Sequence, residues 1–210
     1  MLHFVGFRKS YGEIPVLIVH DLRIGPGIYW VRGANGSGKS TFLKTAAGIL
    51  SFYGDIVLNG RTSVKKHAVH YRKGVNFAEA EPVFPEFLTG REMIAMFALA
   101  KDAPRRQEEY FIESMRMQAY ISEPLRTYST GMLKKLSLVL AFLGRPEVIL
   151  LDEPLITIDA GSLNILYAWI AERNKQEGTS FLLSSHQGFE SGVLAAPKVI
   201  CVESNTVTVL

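Results

Sequence analysis

The chain has 210 residues, with 23 Lys+Arg against 20 Asp+Glu, 48% hydrophobic side chains and a single cysteine. That is the length of one domain, able to bury a core without disulfide or metal staples, and Cys201 alone cannot cross-link the chain internally. A net charge of +3 is too small to call for a nucleic-acid or acidic-membrane partner. No apolar run reaches the ~18–20 residues needed to span a bilayer, so a cytoplasmic chain is expected, reaching any membrane only through a partner.

Short β-like runs alternate with turn signals at the start. Leu2–Phe7 precedes Tyr11-Gly12, Pro15–His20 precedes Gly25-Pro26-Gly27, and Ile28–Val31 leads into a glycine-rich loop. A helix is predicted from Gly38 or Lys39 to about Leu50, followed by a strand at Asp55–Leu58 that Asn59-Gly60 closes. Lys65–Lys73 is a basic run, read as a solvated face. His67 and His70 within it have helical spacing but no Cys or acid cluster to complete a metal site. Helix formers dominate from Glu92 to Leu143, with further helical stretches at Arg105–Tyr120 and Gly131–Leu143. Glu147–Asp152 and Thr179–Ser184 are apolar runs with the look of parallel strands buried on both faces. The expected fold class is α/β: one domain over residues 1–210, with an antiparallel β portion at the N-terminus and a helical insertion at about residues 87–143.

Gly33-Ala34-Asn35-Gly36-Ser37-Gly38-Lys39-Ser40 fits the pattern G-x-x-x-x-G-K-[ST], after a predicted strand and before a predicted helix. Glycines let successive N–H groups wrap a phosphate without Cβ clashes, and the helix N-terminus adds partial positive charge. In such a loop Lys39 reaches the β- and γ-phosphates, the Ser40 hydroxyl ligates Mg²⁺, and Thr41 continues the phosphate-binding turn. Downstream, Val148–Leu151 is an apolar strand ending in Asp152-Glu153. An acid there supports the metal, and the next one orients the attacking water. These residues predict a nucleoside triphosphate site; the loop alone leaves kinase-like and GTPase-like proteins open, and the second half of the chain decides between them.

Tyr128-Ser129-Thr130-Gly131-Met132, opening a helix about twenty residues before Asp152, completes a wider pattern. The chain resembles the nucleotide-binding subunits of ATP-binding cassette (ABC) transporters over essentially its whole length. The resemblance implies a P-loop NTPase (RecA-like) core carrying a helical signature subdomain. It makes Ser129 and Gly131 donors to ATP bound by a second subunit, Asp159 the D-loop aspartate, His186 the switch histidine and Tyr11 the aromatic that stacks on adenine. It further implies ATP and Mg²⁺ as cofactors, Glu153 and His186 as catalytic residues, and a dimer with a second copy or a similar ATPase subunit. An integral membrane permease subunit would complete the assembly, holding the chain at the inner face of the membrane. No nucleic-acid partner is expected. The Ser-x-Gly-Met signature resembles that of exporter-type ATPases, and no C-terminal regulatory domain is expected.

Two stretches depart from that family. Ala80, flanked by Glu79 and Glu81, falls where the family has a glutamine touching Mg²⁺ and water, and alanine has no side-chain donor or acceptor. Either a neighbouring glutamate substitutes, or the register is off by one, or coupling to the partner is altered. Leu155-Ile156-Thr157-Ile158 replaces a smaller, glycine-containing D-loop stretch. Between Glu81 and Arg91, the resemblance makes Phe84 and Phe87 candidates for a groove that takes a short helix of the membrane subunit. Other readings are a soluble ABC-type ATPase with no transport role, and an ATP-gated dimerisation module with weak turnover.

Overall fold

A computed structural model describes residues 2–185 and 197–210. His186, the expected switch histidine, lies outside the described residues. Two sheets carry the fold. The N-terminal one has the order β2-β1-β4-β5 and is antiparallel, built from β1 (Leu2–Tyr11), β2 (Ile14–Ile24), β4 (Tyr53–Leu58) and β5 (Thr62–Ser63). Leu2, Phe4 and Phe7 of β1 face inward, the last after the alternation slips at Gly6. That slip is a register shift between Val5 and Arg8 against β4. Opposite it, a Cβ on Gly54 would come within 2.3 Å of the Gly6 carbonyl oxygen, so only glycine fits there.

The second sheet has the order β10-β9-β3-β8-β7-β6. Its parallel strands are β9 (Lys198–Glu203), β3 (Ile28–Arg32), β8 (Ser180–Ser184), β7 (Val148–Leu151) and β6 (Val75–Ala78), with β10 (Thr206–Val209) as an antiparallel edge. Every residue of β7 and β8 is buried, as their continuous apolar runs predict. Their side chains split between two cores. Ile149, Leu151, Phe181 and Leu183 join one cluster; Val148, Leu150 and Leu182 join the other.

One side of the sheet packs against α1 (Lys39–Ala46) and the antiparallel sheet, where Phe4 stacks on Phe42 at 5.2 Å between ring centroids. The other side packs against α3 (Gly90–Ala100), α4 (Gln107–Ser114), α5 (Thr130–Phe142) and α6 (Ala160–Glu177). An aromatic group centred on Trp169 ties these together, with Phe111 at 4.6 Å and Phe142 at 5.1 Å. A further helix, α2 (Ala68–Gly74), leaves Arg72 and Lys73 in solvent and buries Tyr71, and Lys65 and Lys66 just before it are exposed too, in line with the solvated basic face.

Two helices are shorter than predicted. α1 stops at Ala46, short of Leu50, because Gly48 takes a left-handed φ of 71°. α4 ends at Ser114, short of Tyr120, because Arg116 turns the chain at a φ of 55°. Capping fixes two of the helix starts. Thr89 and Glu92 form a reciprocal capping box on α3, and the Ser129 hydroxyl accepts from the Met132 N–H on α5 at 3.2 Å.

Candidate nucleotide site

The glycine-rich loop runs from the end of β3 into α1, at the carboxyl ends of the parallel strands. Gly36 and Gly38 have φ of 75° and 103°, conformations that glycine adopts without strain. A Cβ at Gly33 would lie 2.3 Å from the Val202 carbonyl oxygen and 2.5 Å from the Ser37 hydroxyl, so the loop's first glycine is sterically required. The N-cap of α1, Gly38, supplies no side-chain acceptor, which leaves the first-turn N–H groups directed toward the loop. The Lys39 ammonium donates to the carbonyl oxygens of Gly33 and Ala34 at 2.9 and 3.1 Å and is buried beneath the loop. The Ser37 hydroxyl oxygen is buried there with no hydrogen-bond partner among the described residues.

A cleft of about 390 Å³ opens over this loop. Asn35, Gly36, Lys39 and Ser40 line it, together with Tyr11 at one side and Glu153 at the other. Thr41 lines it as well. Tyr11 is 51% exposed, with the Lys9 ammonium 4.6 Å from its ring centre. The structure thus brings together residues more than a hundred positions apart.

Asp152 and Glu153 follow β7 and are both buried. Glu153 sits at a φ of 43°, a conformation rare for a residue other than glycine. Its N–H donates to the Ser184 hydroxyl at 2.9 Å, and that hydroxyl in turn donates to Asp152 Oδ1 at 2.6 Å. Because β8 lies between β3 and β7, its last residue falls between the phosphate loop and the acid pair. In the sequence Ser184 is only the last residue of the apolar run Thr179–Ser184; its bonds to the two acids are not legible there.

Among the described residues, no group of three His, Cys, Asp or Glu could hold a metal unaided. The Ser40 hydroxyl and the Asp152 carboxylate are hard oxygen donors, and Mg²⁺ binds through one or two carboxylates plus substrate phosphates, so the donor set fits. Ala80 adds nothing to it. Glu79 is ion-paired with Lys44 on α1, and Glu81 is exposed.

Neither Ser129 nor Gly131 lines the cleft over the phosphate loop. A Cβ at Gly131 would lie 2.9 Å from the Thr157 carbonyl oxygen, placing the Ser129–Met132 turn against the loop that precedes α6. Asp159 caps α6 by accepting from the Ser162 N–H at 2.9 Å and its hydroxyl at 2.8 Å. Lys135 of α5 pairs with the same carboxylate at 2.8 Å. The Lys135 and Ser162 bonds hold Asp159 well below the usual carboxylate range.

An apolar groove of about 350 Å³ lies beyond Ala80, with Val75, Asn76, Phe77, Val83, Phe84 and Phe97 among its walls. Phe84 faces it and also packs on the core, whereas Phe87 is 77% exposed and is not part of its wall.

A buried lysine escaped the sequence reading. Lys134 is fully buried on α5 and donates to the carbonyl oxygens of Glu79 at 2.9 Å, Ala80 at 3.1 Å and Asp152 at 3.0 Å. Burial pulls it down to about 8, partly offset by the nearby Asp152, Glu153, Glu79 and Glu81 carboxylates. A signal was present: positions 134, 137, 138 and 141 form one helical stripe, and a lysine opens it.

The family model for ABC transporters matches residues 21–156, more than half of the chain. The chain is 30% identical over 193 residues to the ABC transporter ATP-binding protein YdbJ of Bacillus subtilis (strain 168), covering 89% of this chain and 61% of that protein. It is 27% identical over 203 residues to the human phospholipid-transporting ATPase ABCA3, covering 93% of this chain and 12% of that protein. The chain therefore spans about three fifths or less of these relatives. Among solved structures, an ATP-binding subunit of an ABC transporter superposes with a TM-score of 0.87 at 21% identity, over 100% of this chain and 90% of that one. A dimeric ATP-binding cassette in a post-hydrolysis state bound to ADP and Pi superposes at 0.80 and 18% identity, over 99% and 96% of the two chains. With the phosphate loop and the acid pair at the ends of one parallel sheet, and a family model that takes in both, the chain belongs to the ABC transporter family.

Proposed function

We propose that the chain is an ATP-binding and ATP-hydrolysing subunit that dimerises around two ATP molecules and powers a separately encoded membrane transporter, on the exporter side of the family. The observation that carries the hydrolytic part is the single cleft lined by Lys39, Ser40 and Glu153, with Glu153 held in place through Ser184. Lys39 and the loop N–H groups bind the phosphates, and Tyr11 stacks on the adenine. Ser40 and Asp152 would hold Mg²⁺, which would supply neutralisation of the phosphate charge. Glu153 orients a water and accepts its proton as the γ-phosphate is attacked, and His186 contacts that phosphate.

Among the described residues of one chain, those that line the cleft are Tyr11, Val16, Glu153 and the phosphate loop, and the Ser129–Gly131 turn is not among them. Ser129 and Gly131, at the N-terminus of α5, supply the missing donors to the ATP of a second copy, and Asp159 joins the contact between copies. Residues 87–143 act as an inserted helical subdomain that presents this turn. The groove with Phe84 takes a short apolar helix of the permease, and the exposed Phe87, outside the groove wall, adds apolar surface for the same partner. This association would place the chain at the inner face of the membrane; among the described residues no helix is long and apolar enough to cross it.

The test is phosphate release against protein concentration for the wild type and Glu153→Gln. Turnover that rises faster than linearly and is lost in the variant supports the dimeric ATPase. Ala80 favours one other reading, an ATP-gated dimerisation module with weak turnover, for which the wild type itself would form stable dimers with ATP. A tagged pull-down from detergent-solubilised membranes tests the transporter: a stoichiometric polytopic partner supports it, and a soluble partner points to a non-transport ATPase.

A further inference from the structure

A lysine with no solvent exposure has to have its charge satisfied, and Lys134 does so with main-chain oxygens alone. Its ammonium carries three donors, and three carbonyl oxygens at 2.9–3.1 Å receive them. These oxygens belong to two segments. Glu79 and Ala80 begin the stretch that runs from the end of β6 to the groove wall, and Asp152 follows β7. Lys134 itself is on α5, a little over one turn from Ser129 and just under one turn from Gly131. One ammonium therefore joins the turn expected to meet the second ATP, the start of the groove segment, and the backbone of the acid pair.

Position 80 sharpens the point. A side chain there could link the groove segment to the phosphate site, and Ala80 has none to offer. Its carbonyl is nevertheless fixed, by Lys134. Glu79 is fixed twice, through its carbonyl by Lys134 and through its carboxylate by Lys44 of α1. The segment is thus held to both sides of the cleft by lysines.

Given the ATPase activity proposed above, we infer that Lys134 is a positioning residue for hydrolysis: by gripping the Glu79, Ala80 and Asp152 carbonyls it sets the acid pair relative to the Ser129–Gly131 turn and the groove segment. It touches no substrate. Its removal alters the rate of the chemical step and leaves nucleotide affinity alone, because Lys39 and the loop N–H groups that grip the phosphates follow β3, across β8 from Asp152. A neutral side chain of similar length leaves three buried acceptors without donors and frees the groove segment. Arginine keeps the charge, but its flat fork cannot present three donors to three converging oxygens in the same way, so it restores the geometry only in part.

The experiment compares the full-length wild type, Lys134→Met and Lys134→Arg. The readouts are steady-state ATP turnover, titration with a fluorescent ATP analogue, and thermal melting. The expected result is nucleotide affinity within about threefold of the wild type in both variants, a turnover per bound nucleotide lowered about tenfold or more in Lys134→Met, and partial recovery in Lys134→Arg. If Lys134→Met does not fold, Lys134→Gln takes its place under the same criteria. Turnover per bound nucleotide within twofold of the wild type overturns the assignment. So does a loss of turnover and binding in parallel, which marks a purely structural lysine. A wild type that binds the analogue but releases no phosphate at any protein concentration overturns the hydrolytic function itself, a result distinct from either.

Discussion

The Ser184 hydroxyl donates to Asp152 Oδ1 at 2.6 Å, a bond between the ends of two neighbouring strands. The same oxygen accepts from the Glu153 N–H, so one hydroxyl holds both acids. Glu153 occupies a left-handed conformation that costs energy unless its surroundings maintain it, and this bond is part of what maintains it.

Ser184→Ala should therefore slow turnover more than it weakens binding. Losing a buried hydrogen bond to a charged group costs about 1.5–3 kcal/mol, or roughly ten- to a hundredfold in rate if it falls on the chemical step. Phosphate release at saturating ATP should drop by that factor while the affinity for a fluorescent ATP analogue stays within about threefold, and Ser184→Thr should recover most of the loss. Equal losses in rate and affinity would contradict the assigned role.

Lys39→Ala acts at the opposite side of the cleft. Charge-assisted bonds of about 1.5–3 kcal/mol to the phosphates disappear, so affinity for ATP should fall roughly ten- to a hundredfold or more. Equilibrium titration with the analogue measures this directly, and retained affinity would refute the phosphate-loop assignment.

The parts of this molecule that its sequence discloses are those where one physical demand dominates. β7 and β8 are buried on both faces, and that demand writes itself as Val148–Leu151 and Phe181–Leu183. The phosphate loop is legible because close backbone approach permits only glycine at Gly33. The ends of α1 and α4 are not, because Gly48 and Arg116 leave the helical region through local turns that helix-forming neighbours do not announce. Ser184 and Lys134 are read only once strand order puts them beside Asp152. A hydroxyl or an ammonium does not reveal along the chain which distant carbonyl or carboxylate it will meet.

Lys101 gives a pH dependence with a definite sign. Burial, reinforced by Arg72, pulls it down to about 8, and its ammonium donates to the Val75 carbonyl at 3.3 Å. An unfolded lysine titrates near 10.4, so between about pH 8 and 10.4 the unfolded chain binds more protons than the folded one. The contribution of Lys101 to stability therefore rises with pH across that window and is flat below it. Urea denaturation of the wild type and Lys101→Met from pH 7 to 10.5 isolates it: the stability difference between them should shift in favour of the wild type as pH rises.

Thr157 sits at a φ of 68°, where a β-branched residue is strained, and its hydroxyl bonds only to the adjacent Ile156 carbonyl among the described contacts. Thr157→Gly should raise stability by about 1 kcal/mol, since the relief of roughly 1–3 kcal/mol of strain exceeds the added entropy of a glycine in the unfolded chain. A higher urea midpoint with an unchanged slope would confirm it; a lower midpoint would show that the left-handed turn carries no strain.

The division of β7 and β8 side chains between two cores bears on how such a chain can change over generations. Leu150 shares a cluster with Phe42 and Tyr71, while its neighbour Leu151 shares one with Phe142 and Trp169. A volume lost at Leu150 is open to compensation beside α1 and the antiparallel sheet, and one lost at Leu151 among α3, α4, α5 and α6. Each face of the sheet can drift in composition while the other keeps its own jigsaw. The strand ends that hold Asp152, Glu153 and Ser184 are bonded to one another through the Ser184 hydroxyl, so they have no such latitude.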